Sequence, residues 1–444
     1  MKNVQRVFWL VLLGLSGVWL LADTLSPYPF TYFSFRTVFV QYTGVVGMGM
    51  MSLAMMLALR PKWVEPPLDG LDKMYRLHKW LGIGGLVFST LHWWWGKGTK
   101  WMVGWGWLSR PEHNAIGEQS LSALEQWLNT QRGLAETIGE WVFYAAAILI
   151  ILALVNSFPY HWFRKTHKLL ALAYLALVYH SLVLLTFDYW LQPVGVVMAL
   201  LMLGGSVAAV TVLAGRVGHS RKVAGILEHL EYYPALKMNE GFIKLEKGWP
   251  GHKPGQFAFV TSENNEGAHP YTIASVWNPE APGLRFIVKE LGDWTGQLRT
   301  RLRVGQPVSV EGPYGCFDFS DRPERQIWVG AGIGITPFIA KLEQLAQSGE
   351  RREVDLFHVS AEYEQAAFDK LTAAAEAAQV RLHIRMTPSE GRLTPEQIRA
   401  AVPEWREASL WFCGPAAFGN FLREDFARHG LPSKHVHQEL FAMR

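Results

Sequence analysis

Six stretches of the chain are apolar over about the 20 residues needed to cross a bilayer: 5–22, 37–59, 77–95, 138–156, 167–187 and 192–215. They predict six membrane-spanning helices. The first follows Lys2 and Arg6 in the manner of a signal peptide. The charge pattern works with it retained, so it is read as a span. After residue 220 charged residues become frequent and apolar runs shorten to strand length. From 221 to about 320, GFIKLEKG, GQFAFVTS, LRFIVKEL and QPVSVEGPYG alternate with Gly- and Pro-containing turns, which predicts a small antiparallel barrel. From about 324, QIWVGAG, VDLFHVS and SLWFCGP each lead into a helix, near 337–347, 364–378 and 416–428. That alternation predicts a parallel sheet flanked by helices. The expected fold is a multidomain membrane protein: a six-helix all-α bundle (1–216), an antiparallel β-barrel (217–322) and an α/β parallel-sheet domain (323–444).

Charge orients the spans. Lys2 and Arg6, the group Arg60, Lys62, Lys73, Arg76 and Lys79, the group Arg164, Lys165 and Lys168, and Arg216, Arg221 and Lys222 all fall on one side if six spans alternate. Positive residues mark the cytoplasmic side, so both termini and the polar half are expected there, in a bacterial inner membrane. The other side holds the loops 23–36 and 96–137 and a turn near 188–191. WWWGKGTKWMVGWGW (93–107) suits an interfacial Trp belt. The net charge of +4 and the lack of a basic run interleaved with aromatics exclude a nucleic-acid partner. The two cysteines, Cys316 and Cys413, form no CxxC, which argues against zinc and iron–sulfur sites.

Ionisable residues inside spans are expensive and usually functional. The third span carries His78 and His92, 14 residues apart; the fifth carries His167 and His180, 13 apart. Either separation is roughly 20 Å along a helix, so one histidine of each pair falls near each leaflet. Imidazole is a good iron ligand. Two facing helices with a histidine at two depths would hold two b-type hemes, the inner on His78 and His167, the outer on His92 and His180. A proton relay or interhelical hydrogen bonds would give no reason for two levels at matched spacing. Thirteen steps of an ideal helix leave the second residue about 140° off the first face, so the fifth span must twist, kink or present one ring obliquely. Arg76, Lys79, Arg164 and Lys168 stand at the edge where inner heme propionates would emerge. His161, in the expected cytoplasmic turn, and His113, in the outer loop, are read as solvated.

In the polar half, VGAGIGITPF (329–338) follows the strand QIWV. Gly330, Gly332 and Gly334 let backbone approach a phosphate, Thr336 is placed to cap the next helix and Pro337 suits its first turn. This is a variant dinucleotide fingerprint. HPYTIAS (269–275) follows PGQF (254–257) and precedes IVKELGDWTGQL (287–298). With EGPYG (311–315), FCGPAAF (412–418) and the ending HQELFAMR, this half resembles the ferredoxin–NADP reductase superfamily, and its His-Pro-aromatic-Thr string is similar to that of the NADPH oxidase and ferric reductase branch.

The resemblance implies FAD in the barrel. Tyr271 would pack on the isoalloxazine, Thr272 would hydrogen-bond near its reactive nitrogen, and His269 would contact the flavin or its phosphates, with Pro270, Ile287 and Lys289 alongside. Gly292, Trp294 and Thr295 would serve the pyrophosphate. NADPH or NADH would bind the glycine turn, with Cys413, Gly414 and Pro415 near the nicotinamide and Phe441 covering the flavin. Thr272, Cys413 and Phe441 are the expected catalytic residues. NADPH-selective members often carry an Arg after the second strand of this domain; HVSAEYE (358–364) has none, but Arg385 and Arg392 further on could substitute, so the choice between NADH and NADPH stays open. The implied activity is electron transfer from cytoplasmic NAD(P)H through FAD and two hemes to dioxygen or a ferric chelate. The alternative is a relay subunit that exchanges electrons with quinone or a periplasmic partner. The flavin and nucleotide signals disfavour a proton-coupled transporter.

Overall fold

In the computed structural model the described residues are 2–109, 122–155, 157–263, 266–321 and 323–439. The chain divides into two compact units, Met1–Leu68 with Lys73–Val217, and Asp69–Asp72 with Gly218–Arg444.

The first unit contains six long helices: α1 (Lys2–Leu20), α2 (Tyr32–Leu57), α3 (Leu71–Trp93), α4 (Ala123–Leu154), α5 (Tyr160–Leu184) and α6 (Pro193–Leu213). Five are long and apolar enough to cross a membrane, which makes this a multi-pass membrane protein. The exception is α3, expected as the third span. Its first turns carry Asp72, Lys73, Arg76, His78 and Lys79, and that polarity takes it below the composition of a span. A second correction concerns α4, which begins at 123 rather than 138. Ser122 accepts from the Glu125 backbone N–H while the Glu125 carboxylate returns to the Ser122 N–H, a capping box that starts the helix within a polar stretch. Among the described residues of this segment, a π-turn (Trp94–Gly98) and a short helix (Thr99–Gly104) also precede α4. The helix α5 likewise starts early, so His161 lies in its first turn rather than in a connecting turn. His113 lies outside the described residues.

More than half of the apolar window of α2 is buried (56%), against 28% or less for the other candidate spans. α2 is thus the centre of the unit. Its Val45 and Met48 pack with Tyr174 of α5 and Met198 and Met202 of α6.

The second unit holds two sheets. The first is antiparallel, in the order β4-β3-β6-β1-β2-β5, from β1 (Lys222–Tyr233), β2 (Met238–Leu245), β3 (Phe257–Thr261), β4 (His269–Thr272), β5 (Gly283–Lys289) and β6 (Pro307–Tyr314). It curls until the residue after β4 bridges to β5, Ile273 to Phe286. Inward-facing Val223, Leu227, Ile243, Leu284 and Val310 fill its interior.

The second sheet is parallel, in the order β11-β10-β7-β8-β9, from β7 (Gln326–Ala331), β8 (Val354–Ser360), β9 (Arg381–Met386), β10 (Ser409–Cys413) and β11 (Val436–Glu439). Side chains alternate across it with period two. Trp328 and Trp411 face one way, under α7 (Thr336–Ser348) and α8 (Gln365–Ala377). Ile327, Val329, Leu410 and Phe412 face the other, under α9 (Pro395–Ala401) and α10 (Ala416–Arg428). Covering both faces is why β7 and β10 read as unbroken apolar runs.

Phe338 is fully buried between Trp328 and Phe317. Phe338→Ala should destabilise this unit by about 3–5 kcal/mol, read as a lower denaturation midpoint by tryptophan fluorescence of the full chain in detergent.

Candidate functional site

His78 and His92 of α3 meet His167 and His180 of α5 in two pairs. The rings of His78 and His167 have centroids 5.9 Å apart, and those of His92 and His180 are 6.0 Å apart. Imidazole nitrogen binds a metal ion at about 2 Å, so two rings sharing one ion end-on stand with centroids about 6 Å apart. The hydrogen bonds select which nitrogen remains for such an ion. Nδ1 of His78 donates to the Ala54 carbonyl (2.8 Å), Nδ1 of His92 to the Val40 carbonyl (2.9 Å), and Nδ1 of His180 to the Ala135 carbonyl (2.8 Å). A carbonyl only accepts, so each Nδ1 carries the proton and Nε2 keeps its lone pair. His167 differs: its Nδ1 is buried with no hydrogen-bond partner, and its ring stacks on Phe163 (5.0 Å, 27°). Among the described residues no cluster of three or more His, Cys, Asp or Glu is placed for a metal ion. The donor set is therefore two imidazoles per level, which suits iron already held equatorially by a macrocycle.

The 13-residue step is absorbed within one continuous helix, since α5 runs unbroken from Tyr160 to Leu184. The side chains take up the rotation: His167 lies back on Phe163, while His180 is drawn towards Ala135 of α4. Gly139 makes that possible, because a Cβ there would fall on the His180 ring. Gly44 plays a milder part at His92, where a Cβ would stand 3.3 Å from the ring.

The outer pair faces a cavity of about 350 Å3. Met48, Met51, Met198 and Met202 form part of its apolar wall, and Arg36, Lys97, Lys100, Arg132, Glu136 and Glu140 line its polar part. Five of these charges are paired, Lys97 with Glu140 at 2.7 Å, Arg132 with Glu136 at 3.3 Å and Lys100 with Glu136 at 3.5 Å, while Arg36 donates to the Trp95 and Gly96 carbonyls. Tyr144 donates to Glu140 (2.8 Å) and accepts from Trp93 Nε1 (3.1 Å). Sequence reasoning passes over Glu136 and Glu140. Their spacing of four on a helix, with Lys97 and Lys100 three apart, was the available signal.

In the second unit, β4 carries His269, Pro270, Tyr271 and Thr272. The ring of His269 stacks on Trp294 (5.4 Å, 11°), and Trp294 Nε1 donates to the Tyr271 hydroxyl (3.1 Å). Burial pushes the Tyr271 hydroxyl well above its ordinary pKa. Three of the predicted flavin residues thus form one aromatic surface, and Thr272 is buried beside it. The N–H groups of Leu291 and Gly292 both donate to Thr295 Oγ1, at 2.9 and 3.0 Å, so this turn is closed on itself. Ile287 packs at the edge of a small cluster with Tyr233 and Phe368, and Lys289 is ion-paired with Glu362.

The glycine turn and the Cys-Gly-Pro turn, 80 residues apart in sequence, touch through backbone. A Cβ on Gly334 would fall on the Cys413 carbonyl, and one on Gly330 would stand 3.0 Å from the Ile335 Cα. Gly332 has φ +56°, open to glycine at little cost. Thr336 does not cap the helix as expected. A 3-10 turn (Gly332–Ile335) runs directly into α7, and the Thr336 hydroxyl donates to the Ile333 carbonyl (2.7 Å). No side chain caps α7 or the turn before it; the Thr336 N–H is taken by the Ile333 carbonyl, so the N–H groups left for an anion are those at the start of the Gly332–Ile335 turn. Pro337 lies in the first turn as expected.

Cys413 is fully buried at the end of β10, and Pro415 precedes α10. Burial, with Glu439 3.9 Å away, pushes the Cys413 thiol up. Glu439 itself is buried and opposite Cys413 in the β10–β11 register. Only the pairing of β11 reveals it. Phe441 lies outside the described residues.

Residues 43–178 match the family described as ferric reductase like transmembrane component, and residues 238–318 match an FAD-binding domain. Ferric reduction oxidase 5 of Arabidopsis thaliana is 38% identical over 108 residues, covering 23% of this chain and 15% of that protein. An NADPH oxidoreductase of Mycobacterium tuberculosis is 31% identical over 215 residues (45% of this chain, 55% of that one). A flavohemoprotein of Halalkalibacterium halodurans is 28% identical over 228 residues, with the same two coverages. The chain spans about half the length of these two bacterial relatives.

His358 is buried, and its Nδ1 donates to the Gly330 carbonyl at the root of the glycine turn (3.2 Å). Burial lowers its pKa from 6.5 to about 4. The folded state therefore favours the neutral ring, and its stabilising contribution is complete above pH 6.5 and lost as pH falls towards 4. The denaturation midpoint should drop across that window, and His358→Gln should shrink the slope. An unchanged slope would remove this role from His358.

Proposed function

We propose that this chain, which joins a ferric reductase-like transmembrane component to an FAD-binding domain, passes electrons from NAD(P)H across a membrane to an acceptor on the far side. The observation that carries the reading is the pair of imidazole pairs, 5.9 and 6.0 Å between centroids, at two depths of the same two helices. A soluble flavoenzyme has no use for a second level. Under this reading α3 crosses the membrane with the other five helices, and the module built on the two sheets lies on the positively charged, cytoplasmic side.

Bound FAD would convert a hydride donor into a source of single electrons, and two b-type hemes would supply one-electron carriers through the bundle. The chain's own residues bind and orient. His78 and His167 would hold the inner heme iron, and His92 and His180 the outer. The carbonyls of Ala54, Val40 and Ala135 hold Nδ1 of three of these rings, which leaves Nε2 free to bind a metal. Tyr271, Trp294 and His269 form the flavin platform, with Thr272 at its edge. The uncapped start of α7 and the turn Gly330–Gly334 take the nucleotide diphosphate, which brings the nicotinamide towards Cys413 and Gly414. Glu439 gives Cys413 a fixed acceptor for its thiol proton.

The acceptor is dioxygen or a ferric chelate, reached from the outer cavity. Cytochrome c reduction that superoxide dismutase abolishes would identify dioxygen, and dismutase-insensitive ferric reduction would identify the chelate. Turnover that requires quinone or a separate periplasmic protein would instead make the chain a relay subunit.

Purified, heme-replete protein should give a b-type reduced spectrum with about two hemes per chain. Absence of heme would end this reading. Gly139→Val, which drives a side chain into the His180 ring, should remove about half of the heme absorbance. It should leave NAD(P)H-driven flavin reduction intact and abolish delivery to the far side, as should His180→Ala.

A further inference from the structure

The glycine turn lies at the C-terminal end of β7, and β8 is its hydrogen-bonded parallel neighbour, with Gly330 opposite His358 and Ala331 opposite Val359. Residues 360–362 therefore leave the sheet level with Gly332 and the start of α7. A dinucleotide whose diphosphate sits on that helix start lays its adenosine ribose over the end of the neighbouring strand. The side chains there are set by local bonds. Ser360 Oγ donates to the Glu362 carbonyl at 2.7 Å and accepts from the Glu362 N–H at 3.3 Å, which folds the chain back at once. The Glu362 carboxylate is partly exposed and ion-paired with Lys289 at the end of β5. Glu364 is used otherwise, accepting from the Ala235 N–H (2.7 Å).

A 2′-phosphate needs cationic partners here; Arg392 is exposed beyond the turn that follows β9, and two nearer cations are committed elsewhere. The guanidinium of Arg385 donates to the Gly391 carbonyl (3.0 Å) and the Glu390 carbonyl, closing the turn after β9. Lys289 is already held by Glu362.

We infer that the chain selects NADH over NADPH and that Glu362 makes the choice: its carboxylate accepts a hydrogen bond from the adenosine 2′-hydroxyl and repels a 2′-phosphate. The inference rests on the reading of the glycine turn as a nicotinamide-nucleotide site. Carboxylates at the end of a second strand take the ribose hydroxyl in other dinucleotide folds, and a like-charge contact is an effective device of rejection.

The test uses the full-length, FAD-loaded protein in detergent. Calorimetric binding of 5′-AMP and 2′,5′-ADP gives a readout that needs no turnover, and anaerobic flavin reduction by NADH and NADPH gives kcat/KM for each donor. NADH should be favoured by about tenfold or more, a difference of about 1.4 kcal/mol, and 5′-AMP should bind more tightly than 2′,5′-ADP. Glu362→Gln should raise kcat/KM for NADPH mainly through KM, and Glu362→Arg should reverse the order of the two adenosine probes. A wild-type preference for NADPH, or variants that leave the donor ratio unchanged, would overturn the inference while the donor site stands. If neither nucleotide reduces the flavin and neither probe binds, the glycine-turn reading itself falls, and this inference with it.

Discussion

An imidazole among apolar side chains is costly unless a ring nitrogen finds a partner. The first unit is arranged around that constraint. Three of its four paired histidines donate to a backbone carbonyl on another helix, His78 and His92 to α2 and His180 to α4. Carbonyls inside a helix already accept the i+4 amide, and their second lone pair makes this bond possible without breaking the helix. The bonds position rings and helices together. α2, buried at the centre of the unit, accepts from both histidines of α3, and the close packing of α4 on α5 depends on Gly139 leaving room for the His180 ring.

The second unit rests on a different constraint, close approach of backbone to backbone. The glycine turn after β7 can reach the Cys-Gly-Pro turn after β10 only because Gly334 has no side chain. That contact aligns the C-terminal ends of two adjacent strands and brings Cys413, Gly414 and the open start of α7 together. In an α/β sheet this is where ligands bind. The carbonyl of Gly330 is in turn held by the buried, neutral His358.

Much of this was legible along the chain, for identifiable reasons. Hydropathy marks lipid-length helices because backbone in a bilayer must be satisfied within its own segment. The expected helices near 337–347, 364–378 and 416–428 fall within one residue of α7, α8 and α10. Hydropathy misjudged two places where polar residues belong to long helices, the first turns of α3 and the polar half of α4. There the signals were a capping box, Ser122 with Glu125, and charges whose partners lie on other helices. Thr336 was misassigned because a 3-10 turn and an α-helix share a start signal, and only the hydrogen bond to Ile333 separates them.

The sequence by itself determined most of the helices and strands, and that His78 and His92, and His167 and His180, stand well apart along their helices, since both follow from local period and rise per residue. It did not determine that the 13-residue step would still bring His180 to His92, because that turns on side-chain direction and on a glycine in a neighbouring helix. Nor did it reveal Glu439 beside Cys413, the charged wall of Glu136 and Glu140 at the outer cavity, or the commitment of Lys289 to Glu362. Each of these joins residues distant in sequence, and only packing decides which distant groups share a lone pair, a charge or a void.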